Sequence, residues 1–149
     1  MINEIITEVN AAKEEYQTKA REAIGKVFKL FMEQNPEVKR IVWTQYTPWF
    51  NDGETCVFSI NDPMFVAKEP ENAEDMSYYE WEEDDLIWST GKYKTESAHP
   101  ASDALEANIN KLTTFMNDNE TMLQEVLGDH VAVTILADGT TLIDEYEHD

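Results

Sequence analysis

The residues of this 149-residue chain that could bind a metal ion or act as a nucleophile are few and far apart. The three histidines stand at positions 99, 130 and 148, and the single cysteine is Cys56, so no close pair has the spacing of a structural zinc motif. A single cysteine can form no internal disulfide, and we interpret Cys56 as a structural thiol. The sequence therefore predicts no His/Cys metal site and no cofactor.

Loops that bind calcium or phosphate are not found either. The segment Asn51-Asp52-Gly53-Glu54 begins like a calcium loop, but position 59 is Ser where the closing Glu would be needed, so we interpret it as a hairpin loop. The glycines are isolated from one another, and no Gly-x-Ser-x-Gly nucleophile turn occurs. A metal-dependent enzyme with a carboxylate-lined cleft stays an alternative, because 31 acids offer many pairs and the sequence selects none of them.

The acidic residues are concentrated in one part of the chain. Residues 1–68 carry 8 Lys and Arg against 10 Asp and Glu, whereas residues 69–149 carry 3 against 21, so nearly all of the net charge of −20 lies in the second part. Residues 69–85 alone contain 9 acids. Direct binding of DNA or RNA needs basic residues that neutralise phosphates, and the bases here are mostly paired with acids on the first helix. The distribution indicates a basic partner rather than a nucleic acid or a membrane.

Two acidic groups are the candidate binding surface for a basic, nucleic-acid-binding protein. Along an extended strand, acids two positions apart lie about 6–7 Å from each other, which is comparable to the spacing of phosphates on a nucleic-acid strand. Trp81 lies among the first group and would anchor the contact, because Trp dominates interface energetics. Such an inhibitor would fill a basic groove, provided that the two groups share a face. The candidate partner-binding residues are Glu80, Trp81, Glu82, Glu83, Asp84, Asp85, Asp144, Glu145 and Glu147.

Other interpretations of the acidic composition stay open. The acids could form a generic solvated surface, although a general adaptation should not spare the first 68 residues. The chain could also be a structural or assembly protein of a virion, which would self-associate, and a homodimer is an alternative arrangement.

Hydrophobic spacing predicts the helices. Apolar residues recur at steps of three and four from Ile2 to Phe31, which predicts a first helix of about thirty residues, with Asn3 as its cap and Pro36 beyond its end. A second apolar period from Leu105 to Leu127 predicts another helix, capped by Ser102 or Asp103, ended by Gly128 and broken near residues 117–119.

Strand-forming residues occupy the stretches between and after these helices. Runs at 41–47 and 55–60 predict an antiparallel pair, and 64–66 and 86–88 predict two short strands. Asp138-Gly139, between two further runs, predicts a tight hairpin. The element order predicts an α+β fold in which two long helices pack on an antiparallel sheet. We expect a single two-layer domain, residues 1–149, with an acidic insertion at about 67–85.

One segment resembles known proteins. The run WTQYTPWFNDGE at 43–54, followed by Cys56 and Phe58, is similar to a segment of small uncharacterised proteins of bacteriophages and bacteria. The resemblance implies a phage or prophage setting, where small acidic proteins of similar character act as DNA-mimic inhibitors. The N-terminus lacks a signal-peptide pattern and no apolar run is long enough to span a membrane, so we expect a cytoplasmic protein.

Overall fold

The computed structural model describes residues 1–49, 53, 55–69, 82–89 and 91–147, and within this part the chain forms helices and one antiparallel sheet. The α-helices are α1 (Ile2–Gln34), α2 (Gly91–Glu96), α3 (Asp103–Asp118) and α4 (Glu120–Leu127). The strands are β1 (Arg40–Tyr46), β2 (Ser59–Ile60), β3 (Met64–Val66), β4 (Leu86–Ile87), β5 (Val131–Leu136) and β6 (Thr141–Glu145). A short 3₁₀ turn, Glu83–Asp85, directly precedes β4.

Strand β1 lies at the centre of the sheet. The strand order is β4-β3-β1-β5-β6, and β2 pairs with β1 beyond the end of β3. All pairs are antiparallel, with Trp43 opposite Val133 in the β1–β5 pair and Ile41 opposite Phe65 in the β1–β3 pair. Strands β4 and β6 are consequently the two outer strands of this order.

One face of the sheet is covered by the helices. Phe28 of α1 stacks on Trp43 of β1 with ring centroids 5.3 Å apart, and both side chains are fully buried. The core cluster on this helix face joins Ile24 of α1, Leu112 of α3 and Leu123 of α4 to alternate residues of the strands. Side chains alternate between the two faces of a strand, so β1 presents Ile41, Trp43 and Gln45 to the helices.

The opposite face of the sheet carries a second, smaller apolar cluster. Val42, Val66 and Leu86 are buried there, with Met64 and Trp88 packed against them. Every residue of β1 from Arg40 to Gln45 is buried, so the central strand is covered on both faces.

A buried carboxamide fixes the end of α4 to β1. Gln45 is fully buried, and its Oε1 accepts a hydrogen bond from Trp43 Nε1 at 3.0 Å. Its Nε2 donates to the carbonyl oxygen of Leu123 at 3.1 Å and to that of Gly128 at 2.8 Å. The Gly128 carbonyl lies just beyond α4 and has no helical partner, so this one side chain satisfies a group that burial would otherwise penalise.

The β5–β6 turn packs closely against α1. Gly139 has φ +90°, and a Cβ built at this position would lie 3.0 Å from Cβ of Lys29. Only glycine combines this backbone conformation with so close an approach.

The structure confirms the α+β class and most of the elements predicted from sequence. The second helix is broken, as expected, with Asn119 between α3 and α4, and Ser102 Oγ accepts the N-cap hydrogen bond from the Leu105 N–H at 3.2 Å. The Asn3 cap is wrong, because α1 already begins at Ile2. Of the run at 55–60 only Ser59–Ile60 is strand, and α2 had no sequence signal.

Replacing Gln45 with Leu should destabilise the fold by about 2–4 kcal/mol, because the Trp43 N–H and the Gly128 carbonyl lose their partner and the Leu123 carbonyl loses its second donor, while the side-chain volume changes little. Urea denaturation followed by far-UV circular dichroism measures the loss. Gln34→Leu, at the exposed end of α1, is the matched control and should stay within about 0.5 kcal/mol of the parent. Equal losses in both variants would contradict this role of Gln45.

Candidate functional site

The first candidate acidic group lies beside β4, and we call Glu82–Asp85 the β4-edge acids. Glu82, Glu83 and Asp84 are exposed, whereas Asp85 is half-buried. The Asp85 carboxylate accepts a hydrogen bond from the Glu82 N–H at 3.3 Å, and the Asp85 carbonyl accepts one from the Ala67 N–H at 2.7 Å. These bonds tie the turn to the residue that follows β3.

The β4-edge acids do not form the extended row that the sequence suggested. Glu82 is extended, with φ −108° and ψ 159°, but Glu83–Asp85 form a 3₁₀ turn. Successive residues of a 3₁₀ turn rotate by about 120°, so Glu83 and Asp84 point in different directions. Glu80 and Trp81, the other members of this candidate group, lie outside the described residues. The result is a compact cluster of charge.

The second candidate group, the β6 acids, comprises Asp144, Glu145 and Glu147, all of them exposed. Asp144 pairs with Ala132 and Glu145 with Val131, so their side chains alternate between the faces of the sheet. Because Val131 belongs to the helix-face core, Glu145 lies on the helix side and Asp144 on the opposite side. The β6 acids therefore present charge to both sides of one edge.

The two acidic groups lie at opposite edges of the sheet. Strands β4 and β6 are separated by β3, β1 and β5, and four strand spacings amount to about 19 Å. The structure brings the members of each group together, but it does not bring the two groups together. The condition that the two groups share a face is therefore not met, which counts against one continuous groove-filling surface, and a partner would meet them as two separate contacts.

A third polar cluster, which the sequence did not reveal, surrounds Asp129. Its Oδ1 accepts from the Thr47 N–H at 2.7 Å and its Oδ2 from the Thr47 hydroxyl at 2.6 Å. Gln124 Nε2 donates to Oδ2 at 3.2 Å and the His130 N–H donates to Oδ1 at 2.8 Å. The Asp129 carboxylate joins the end of β1 to the segment between α4 and β5. Thr47 is 82 residues away, so no local spacing could have indicated the pair.

The surroundings of Asp129 favour its ionised form. Partial burial acts to raise the pKa of the carboxyl, but the hydrogen bonds from Thr47 and the neighbouring His130 outweigh it and hold the pKa below its ordinary value. His130 Nε2 lies 3.6 Å from Oδ1, and the imidazole stacks on the exposed Trp49 ring with centroids 4.0 Å apart. A carboxylate that already accepts four hydrogen bonds is suited to holding loops together rather than to acting as a base.

The described residues hold no group of three or more His, Cys, Asp and Glu side chains that could bind a metal ion. A hollow of about 460 Å³ lies between Tyr16 of α1 and the junction of α3 and α4, and Asp118, Glu120 and Glu125 are among its lining residues. This hollow adds an acidic surface beside the helices. Across the described part of the chain, no helix has the length and hydrophobicity needed to cross a bilayer.

Replacing Asp129 with Asn should lower the stability at pH 7 by about 1–2 kcal/mol, because hydrogen bonds to a charged acceptor are lost. The folded-state pKa is lowered, so this stabilisation is complete above the ordinary pKa of 3.8 and is lost as the pH falls through the lower folded value. The difference between Asp129→Asn and wild type should therefore shrink on acidification, as urea denaturation at a series of pH values would measure. Glu125→Gln, an exposed carboxylate on α4, is the control and should show little difference at neutral pH. A pH-independent difference for Asp129→Asn would contradict the assignment.

Comparison of the chain with protein-family models, with curated proteins and with solved structures finds no match. The resemblance of residues 43–54 to small phage and bacterial proteins stays a prediction. The candidate residues are assigned from sequence and geometry.

Proposed function

We propose that this chain is a non-enzymatic protein that binds a basic, nucleic-acid-handling protein and blocks its nucleic-acid groove. The observation that carries the proposal is the charge of the β4-edge acids. Three of the four are exposed, and within the described part of the chain no ion pair joins any of them to a cation. Elsewhere bases do neutralise acids, as Lys94 does with Glu106 at 2.6 Å and Lys19 with Glu15 at 2.9 Å.

Protection of the sheet edge is the competing explanation for these acids. Charged residues on an outer strand prevent pairing with another chain, and the β6 acids at the end of a five-residue strand fit that role. Strand β4 has only two residues and offers little edge to protect. Four consecutive acids are more than the protection of a two-residue strand requires. We therefore assign the primary partner contact to the β4 edge and a separate, secondary contact to the β6 edge.

Electrostatics supplies both the affinity and the mode of inhibition. Clustered like charges destabilise a fold by mutual repulsion, and a basic groove would relieve that repulsion in the complex. The same Lys and Arg side chains would otherwise neutralise phosphates, so occupying them excludes the nucleic acid. Complementary charge also accelerates encounter. In the phage setting implied by residues 43–54, the target would be a restriction, CRISPR or host nucleic-acid enzyme in the cytoplasm.

The test reverses the charge of the β4 edge. Glu82→Lys, Glu83→Lys and Asp84→Lys together should weaken the partner complex at least tenfold, which corresponds to about 1.4 kcal/mol, because attraction to a basic groove becomes repulsion. The measurement is capture of partners from nuclease-treated host lysate on immobilised protein, with quantification at low and high salt. Partners that use a nucleic-acid groove should also be released by short duplex DNA or RNA.

The control variant reverses the same number of acidic charges on α1 instead of at the β4 edge. Glu14→Lys, Glu22→Lys and Glu33→Lys alter three exposed acids of α1 and should leave capture unchanged. Circular dichroism verifies that both triple variants fold. Retention of every partner by the β4-edge variant, or equal losses in the two variants, would overturn the proposal.

A further inference from the structure

The N-terminal half of α1 carries an apolar stripe that is exposed in the described part of the chain. The exposed fractions are 72% for Ile2, 60% for Ile5, 50% for Ile6, 62% for Val9 and 48% for Tyr16. The buried residues of α1 begin only at Ala20. The hydrophobic pattern predicts a core-facing stripe along the whole of α1. In the N-terminal half the apolar face is present, but the expectation that the core covers it is wrong.

The spacing of the stripe is that of a coiled-coil seam. Ile2, Val9 and Tyr16 recur every seven residues, as the a positions of a heptad do, and Ile5 and Ala12 occupy the d positions between them. At about 100° per residue, Ile24 lies about 40° and Phe28 about 80° around the helix from Ile2, so the core contact is rotated only partly away from the seam. The two are separated along the helix instead, because the buried residues begin at Ala20, and a partner helix that follows residues 2–19 would not displace the core.

An unsupported helix of this length is marginal in water. Residues 2–19 form about five turns, or roughly 27 Å, and isolated helices gain little stability without packing of an apolar face. A second helix on the seam would supply that packing.

The charge of α1 favours another copy of the same chain. Residues 2–19 contain 4 acids and 2 bases, so this half of α1 is weakly charged in a chain of net charge −20. A basic partner gains little from so weakly charged a surface, and a helix without a Lys/Arg-rich face is poorly suited to anionic lipid.

The flanking charges also select an orientation. In a parallel pair, a g residue of one helix lies beside the e residue of the following heptad on the other helix. Glu8 is at g and Lys13 is at e, so a symmetric pair forms this opposite-charge contact twice. An antiparallel pair would instead bring Glu8 beside Glu8 or Glu15 of the other helix.

We propose that two copies of this chain form a parallel dimer through the a and d residues of the N-terminal half of α1. Covering a large aliphatic side chain removes on the order of 100 Å² of apolar surface from water. Each copy offers six large exposed side chains, four at a and d (Ile2, Ile5, Val9 and Tyr16) and two flanking them (Met1 and Ile6), and the pair buries about 1,200 Å², which is the lower bound for a specific interface.

Light scattering coupled to size-exclusion chromatography tests the dimer. At a protein concentration of about 100 µM, which is well above a micromolar Kd, nearly all of the wild type should be dimeric and have twice the 17.2 kDa mass of one chain. Ile5→Glu with Val9→Glu should halve that mass, because both changes place charge in the seam. Asn10→Glu with Ala11→Glu adds the same charge at the exposed b and c positions and should remain dimeric. A monomeric wild type, or a seam variant that stays dimeric, would overturn the proposal.

A cysteine at an a position tests the orientation. In a Cys56→Ser background, Tyr16→Cys should form an intermolecular disulfide on mild oxidation, because identical a residues face each other only in a parallel pair. A dimer that fails to cross-link would overturn the parallel arrangement. Neither measurement depends on the acidic edges, so failure here would leave the proposed function standing.

Discussion

Burial of β1 on both faces is the constraint on which the rest of the structure depends. Because every side chain from Arg40 to Gln45 is removed from water, the chain must supply cover to both sides of one strand. The helix face receives it from α1, α3 and α4, and the opposite face from the small cluster that includes Val42 and Leu86. Strands β3 and β5 satisfy the backbone groups of β1 on either side. The exposed carboxylates of both candidate groups lie beside the outer strands β4 and β6.

This constraint explains why the acidic groups separate. The β4-edge acids follow β3 and the β6 acids end β6, and these elements lie on opposite sides of β1. The sequence predicts the two groups as one potential surface, because strand order cannot be read from composition. The pairing of β1 with β5 joins residues about 90 positions apart, and it is this pairing that places β6 at the far edge.

Features that depend on local sequence could be predicted, and features that depend on distant residues could not. The Ser102 cap, the Asp138-Gly139 hairpin and the break at Asn119 follow from side chains acting on their own backbone. The Thr47–Asp129 bonds and the Gln45 bridge to α4 join segments that are about 80 residues apart, so no periodicity indicates them. For α1, hydrophobic spacing identified the helix, but it could not say that Ile5 and Val9 lie beyond the body of the domain.

The buried and the exposed half of α1 should differ in how readily their backbone hydrogen bonds open. Backbone amides near Phe28 can exchange with solvent only when the core opens, whereas those near Val9 require only fraying of the helix end in a single chain. The two halves of one continuous helix therefore belong to different cooperative units. Any partner that covers the stripe would slow exchange across the first five turns and extend the cooperative unit of the core to the helix N-terminus.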